Sequence, residues 1–152
     1  MIIGYGSPIR GDDAIGAMAA DRLDNEGLPD GVRVISRHVL TADLVPDIVD
    51  ARQVVFIDAA ASGEPGEIRC RRLEPDASAM STMAHFLDPQ ELLAWAAALY
   101  GARPQAHLVT VAGGDFAFSH FDLSDAVDRA FPDLLQQVRA LVGKHAADGA
   151  VA

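Results

Sequence analysis

Apolar residues recur along this chain in two rhythms, every second residue or every third to fourth, and the changes between them predict alternating strands and helices. Ile2 and Ile3 open a short strand. Asp13 to about Asn25 follows as a helix, with Ile15, Met18, Ala19 and Leu23 at core-facing spacing and Asp12 placed to cap it. Val32-Arg-Val-Ile35 predicts a second strand. Thr41 to Ala51 predicts a second helix, its start delayed or kinked by Pro46. Gln53-Val-Val-Phe-Ile57 is a near-continuous apolar run, the pattern of a strand covered on both faces. The Gly63-Glu-Pro-Gly66 turn leads into a strand around Cys70, which predicts an antiparallel pair with the strand before it.

The stretch from Asp76 to Ala84, rich in Ala, Ser and Met, reads as a loop. Asp88 or Pro89 starts another helix, with Leu92, Ala96, Leu99 and Tyr100 inward. Leu108-Val-Thr-Val111 is the next strand and Gly113-Gly114 a turn. Two helical segments follow, Ser124 to Phe131 and Asp133 to His145, the second with Leu134, Val138, Leu141 and Val142 on its apolar face. Residues from Ala146 onward read as a fraying tail. The alternation predicts an α/β fold in three α/β/α layers around a mostly parallel, mixed sheet of about five strands, one of them antiparallel. At 152 residues the chain is expected to form a single domain, 1–152.

Charge narrows the partners. The formal net charge is −10, and the only basic run is the short segment from Arg69 to Arg72. Nucleic acid and anionic membranes both require concentrated Lys and Arg, so neither is expected as a partner. The one cysteine, Cys70, excludes an intrachain disulfide and a cysteine-rich zinc site. Its alternating surroundings predict an inward-facing, structural thiol beside Ile68. The longest apolar run, Leu92 to Tyr100, is too short to span a bilayer, and no secretory leader is visible. The expected setting is the cytoplasm, without membrane insertion.

Open α/β sheets bind ligands beyond the carboxyl ends of their strands. Three chemically capable residues fall at that edge: Asp13 after the first strand, Asp58 directly after Ile57, and His85 before the helix that starts near Asp88. Together, two carboxylates and an imidazole suit a divalent transition metal with open positions for water or substrate. Taken singly, they suit a first-turn carboxylate, a loop cap and a surface histidine, and position alone leaves both readings open. A dinucleotide fingerprint fails because Ile9 stands where the third glycine belongs, and no Lys-Ser/Thr pair follows to make a phosphate loop. There is no G-x-S-x-G nucleophile turn, and Ser7 has no evident base. A carboxylate dyad of Asp13 and Asp58 remains formally open. His38 is within reach of the same edge, whereas His107, His120 and His145 have no evident role there.

The opening resembles the signature of the hydrogenase maturation proteases: Gly-x-Gly-Asn, four variable residues, Asp, then Asp or Glu, then x-x-Gly. Here it reads Gly4-Tyr-Gly6-Ser7, Asp12-Asp13 and Gly16, with Ser7 in place of the usual Asn. The resemblance continues through Val54-Val-Phe-Ile-Asp58-Ala-Ala60, Leu40-Thr41-Ala-Asp-Leu44, Ala84-His85-Phe-Leu-Asp-Pro89, Leu99-Tyr-Gly101 and Leu108-Val-Thr-Val111. It departs at Phe118-Ser-His-Phe-Asp-Leu-Ser124, where that family commonly has Gly-Glu before Leu-Ser. The resemblance implies an endopeptidase with Asp13, Asp58 and His85 as catalytic metal ligands. It also implies that Gly4, Gly6, Ser7, Asp12 and Gly16 shape the turn and helix start, and that Thr41 contacts substrate. The implied partner is a hydrogenase large-subunit precursor, and the implied metal is nickel carried by that substrate, replaceable by another divalent ion in isolation. The alternative is a nickel-binding docking module of the same fold that has lost cleavage.

Overall fold

The computed structural model describes residues 1–80 and 85–149, with the side chains of residues 145–149 left aside. Five strands, β1 (Ile2–Tyr5), β2 (Val34–Arg37), β3 (Gln53–Ala60), β4 (Ile68–Leu73) and β5 (Gln105–Ala112), form one sheet. Its order is β2-β1-β3-β5-β4, with every neighbouring pair parallel except β4 and β5. Among the described residues four helices cover it: α1 (Ile15–Glu26), α2 (Val45–Val49), α3 (Pro89–Tyr100) and α4 (Asp125–Gly149).

Strand alternation divides the core in two. Ile3, Val54, Phe56, Ala106 and Leu108 pack with Leu44 and Ile48 near α2 and with Leu92 and Leu93 of α3. The intervening Ile2, Val55, Ile57, Val109 and Val111 pack with Ile15 and Leu23 of α1 and with Leu134 and Val138 of α4. The result is the expected three-layer α/β/α arrangement.

Several local expectations are corrected. The Cys70 strand does not pair with β3, because β5 lies between them and takes the antiparallel edge. Cys70 does share a face with Ile68, but α4 leaves an open groove along that edge, lined by Gly66, Ile68, Ala130 and Asp133 among others, and the thiol is exposed. Met18 is exposed, since the buried stripe of α1 runs through Ile15, Gly16, Ala17, Ala19, Ala20 and Leu23 and leaves it out. Leu99 and Tyr100 are exposed in the last turn of α3, and Leu93 takes the inward place beside Leu92. The second strand starts at Val34 rather than Val32. The segment after Thr41 is a 3-10 turn, Ala42–Leu44, followed by a short helix with Pro46 in its first turn, where its missing N–H costs nothing. The two C-terminal helical segments are one helix running to Gly149, with Pro132 inside it, held by a continuous stripe from Val127 to Val142.

The glycines at the β1–α1 junction are required by distance. A Cβ on Gly16 would lie 2.2 Å from the Ile57 carbonyl oxygen and 2.4 Å from that of Tyr5. A Cβ on Gly4 would lie 2.0 Å from the Gly16 carbonyl oxygen. Helix α1 therefore rests directly on the backbones of β1 and β3. Gly16→Ala is expected to destabilise the fold by about 2–3 kcal/mol, as overpacking a rigid contact does. Urea unfolding checks this, and an unchanged midpoint would contradict so close an approach.

Candidate active site

The order β2-β1-β3 places the first crossover on one side of β1 and the second on the other. The crevice between the carboxyl ends of β1 and β3 is therefore the topological switch point of the sheet, where open α/β folds bind ligands. Asp13 and Asp58 stand at its two sides.

Asp13 sits in a 3-10 turn, Gly11–Ala14, that leads into α1. Its Oδ2 accepts the Ser7 backbone N–H at 2.9 Å. The turn closes on Gly6, whose φ of 147° and whose contact with the Asp13 carbonyl exclude a side chain. The backbone of residue 7 makes this bond, so it does not depend on which side chain stands there.

Asp58 lies near the end of β3, alongside Tyr5, because Gly4 pairs with Ile57 in the neighbouring strand. Its Oδ1 accepts the Ala59 N–H at 2.8 Å. Burial pushes its carboxyl up to about 6, hydrogen bonds from the Tyr5 hydroxyl and Ala59 oppose the shift, and the negative charge of Asp13 adds to it. Tyr5 is itself pushed upward, first by burial and then by the charge of Asp58. Removing the hydroxyl in Tyr5→Phe is expected to raise the Asp58 carboxyl above its value near 6. Carboxyl-carbon NMR titration reads the direction, and a fall would contradict it.

The remaining expected site residues are spread more widely. His85 is exposed in the turn before α3, which is anchored by the Leu87 N–H to the Leu40 carbonyl at 3.0 Å. Asp88 caps α3 by accepting the Glu91 N–H at 2.8 Å, and its charge is felt by Tyr5, so this turn lies within electrostatic reach of the pair. Among the described residues no three His, Cys, Asp or Glu side chains group closely enough to hold a metal ion. The structure thus couples Asp13 with Asp58 and leaves His85 outside that grouping; Ala84 of its motif lies outside the described residues. The Thr41 hydroxyl is hydrogen-bonded to Asp43 at the start of the 3-10 turn. His38 is exposed just past β2, His107 lies within β5, and His120 faces Asp115.

Asp12 is not a helix cap. It is completely buried, and its carboxylate accepts the N–H groups of Gly114 (2.7 Å), Asp115 (2.9 Å) and Ser124 (2.7 Å) together with the Ser124 hydroxyl (2.8 Å). The helix dipole does not claim it because the loop between β5 and α4 offers four donors at once. Asp12 therefore clamps that loop onto the turn that carries Asp13. Sequence reading missed this role and the part of Tyr5. The only local signals were a second carboxylate beside Asp13 and an aromatic with a polar tip between two glycines.

As to chemistry, one backbone N–H on each carboxylate leaves lone pairs for a cation. A divalent ion would offset both the desolvation of Asp58 and the repulsion of Asp13, so the donor set fits such an ion. A carboxylate pair at the switch point of a three-layer α/β fold is placed where such sheets bind their ligands.

Residues 18–141 match the family described as HycI, hydrogenase maturation protease. The chain belongs to that family and is a peptidase of its class. The match contains Asp58 and His85 and leaves the Gly4 to Gly16 segment outside it. No curated protein sequence matches the chain. Among solved structures, the hydrogenase maturating endopeptidase HybD from E. coli superposes with a TM-score of 0.72 at 21% identity, covering 95% of this chain and 91% of that one. The NiFe-hydrogenase maturation protease HycI from Thermococcus kodakarensis KOD1 superposes with a TM-score of 0.72 at 23% identity, covering 93% and 90%. A hydrogenase 2 maturation peptidase from Thaumarchaeota archaeon SCGC_AB-539-E09 gives 0.70 at 23% identity, covering 93% and 96%. At these identities the likeness speaks for the fold. No helix among the described residues is long and apolar enough to cross a membrane.

Proposed function

We propose that this peptidase removes a C-terminal extension from a nickel-loaded NiFe-hydrogenase large-subunit precursor and recognises the nickel while doing so. The observation that carries the reading is the Asp13–Asp58 pair at the switch point, with the Asp58 carboxyl raised first by burial and further by the charge of Asp13. Such a pair gains most from a ligand that brings its own cation. A nickel ion held by the precursor is part of the substrate, and carboxylate oxygens are suitable donors to complete its coordination. A precursor without the ion leaves the two carboxylates repelling, which is the physical basis of discrimination. In isolation the pair is expected to take up another divalent ion.

His85 joins as the third ligand in this reading, from the turn before α3. The test is incubation of the purified protein with the large-subunit precursor from the same genome, read by mass spectrometry for a shortened subunit and a released C-terminal peptide. His85→Ala is expected to lower processing by at least about a hundredfold with its melting temperature retained. Full activity in that variant would remove His85 from the ligand set. Binding of the precursor without cleavage by the wild-type chain would replace the peptidase reading with that of a docking module.

A further inference from the structure

The loop of residues 113–124 holds two large aromatic side chains in water. Phe118 is 71% exposed and Phe121 69% exposed, and Ile9, on the adjoining turn, is exposed as well. Clustered exposed apolar residues of this size mark interaction surfaces more often than a lone one does.

Their exposure is built into the loop. Asp12 fastens it at both ends through Gly114, Asp115 and Ser124. Backbone bonds join Asp12 N–H to Asp115 O and Gly11 N–H to His120 O, both at 2.8 Å. Within the loop, the Asp115 carboxylate accepts the Ala117 N–H at 2.9 Å and meets His120 Nδ1 at 2.5 Å. Ser119 adopts a left-handed φ of 63° between the two aromatic positions, and the Arg10 guanidinium lies 4.9 Å from the centre of the Phe118 ring. A platform fixed in this way loses little freedom on binding.

The platform is continuous with the site. Asp13 N–H bonds to the Arg10 carbonyl (3.1 Å) and Arg10 N–H to the Ser7 carbonyl (3.4 Å), while Ser7 N–H holds the Asp13 carboxylate (2.9 Å). One turn thus carries a site carboxylate and, through Arg10, the support of Phe118. The occupant must also suit the charge of this chain, which is −10 and repels acidic segments. Apolar side chains on a neutral or basic surface fit.

We infer that Phe118 and Phe121 are specificity-determining residues that seat an apolar stretch of the hydrogenase large-subunit precursor beside the cleavage site. The inference rests on the proposed function, and the experiment separates the two. Processing kinetics with the nickel-loaded precursor are measured for the wild-type chain, for Phe118→Ser/Phe121→Ser and for Phe121→Ser, with affinity followed by biolayer interferometry and folding by thermal melt. The double variant is expected to show a KM or Kd raised about tenfold or more, the usual effect of truncating central aromatic anchors, with kcat held within about twofold. The single variant keeps the test open should the double one melt early, and its expected rise is about threefold. Unchanged KM and Kd in folded variants overturns the inference and leaves the peptidase reading standing. Wild-type binding without cleavage, with binding lost in the variants, supports the inference and overturns the peptidase reading. A wild-type chain that neither binds nor processes the precursor overturns both. A wild-type dimer in sedimentation that the substitutions dissociate, with KM unchanged, assigns the surface to a second copy and overturns the inference.

Discussion

Asp58→Asn is expected to lower processing by at least about a hundredfold and, at the same time, to stabilise the fold at pH 7. The two effects share one cause. The Asp58 carboxyl is raised from 3.8 to about 6, chiefly by burial, so the folded protein holds a charge there that its surroundings disfavour. A carboxyl raised on folding adds stability that is fully present below its unfolded value near 4 and is lost as pH rises through the folded value near 6. Above that, the ionised group costs about 3 kcal/mol relative to a neutral one of the same shape, which asparagine supplies. Removing that cost corresponds to a rise in melting temperature of about 6–12 °C for a chain of this size. The stability of the variant relative to the wild-type chain should therefore rise between about pH 4 and 6, as the Asp58 contribution is lost from the wild type alone. Denaturant unfolding across that range reads the difference. A variant that is less stable than wild type at pH 7, and equally pH-sensitive, would show that the charge of Asp58 is not a strained one. Processing by the wild-type chain is expected to fall as pH drops below about 6, because the protonated carboxyl no longer offers an anionic donor to a cation.

The neighbouring acidic residue is expected to respond in the opposite sense. Asp12→Ala removes a fully buried carboxylate that accepts three backbone N–H groups and one hydroxyl. Those four donors are left without their acceptor in a place that water reaches poorly. Donors stranded in this way cost about 1–3 kcal/mol each, and partial relaxation of the loop brings the expected loss to about 3–5 kcal/mol. The melting temperature should fall by about 10 °C or more, and amide exchange in residues 113–124 should accelerate ahead of the rest of the chain. A melting temperature within about 2 °C of wild type would mean that the loop is held by other contacts. Asp12 and Asp13 are adjacent and chemically identical. One holds the structure together, and the other faces the site.

That division was not legible in the sequence, because it depends on a loop 102 residues further along the chain donating to Asp12. Local reasoning placed a carboxylate beside a helix start and assigned it the nearest donors. The strands were easier to read. Gln53 to Ile57 is apolar on both faces because α2 and α3 cover one side and α1 and α4 the other. Strand order was less accessible: the turn from Gly63 to Gly66 suggested a local hairpin, whereas β5 arrives from far along the chain and takes the place between β3 and β4. Cys70 and Leu99 were misplaced for a related reason, since alternation tells which face a residue is on and not whether another element covers it. Asp13 and Asp58 were legible because a residue at the carboxyl end of a strand lies at the binding edge wherever the strand sits. His85 belongs to a loop, so its distance from that edge follows from packing that the sequence does not encode locally.

The central claim is that the Asp13–Asp58 pair works on a precursor that supplies the cation. The most direct measurement compares nickel-loaded and nickel-free precursor side by side, with the released C-terminal peptide quantified by mass spectrometry for the wild-type chain and for Asp13→Asn. The expected result is peptide release from the loaded precursor by the wild-type chain only, with the nickel-free precursor left intact. Equal release from both precursors, or full release by Asp13→Asn, would contradict the account.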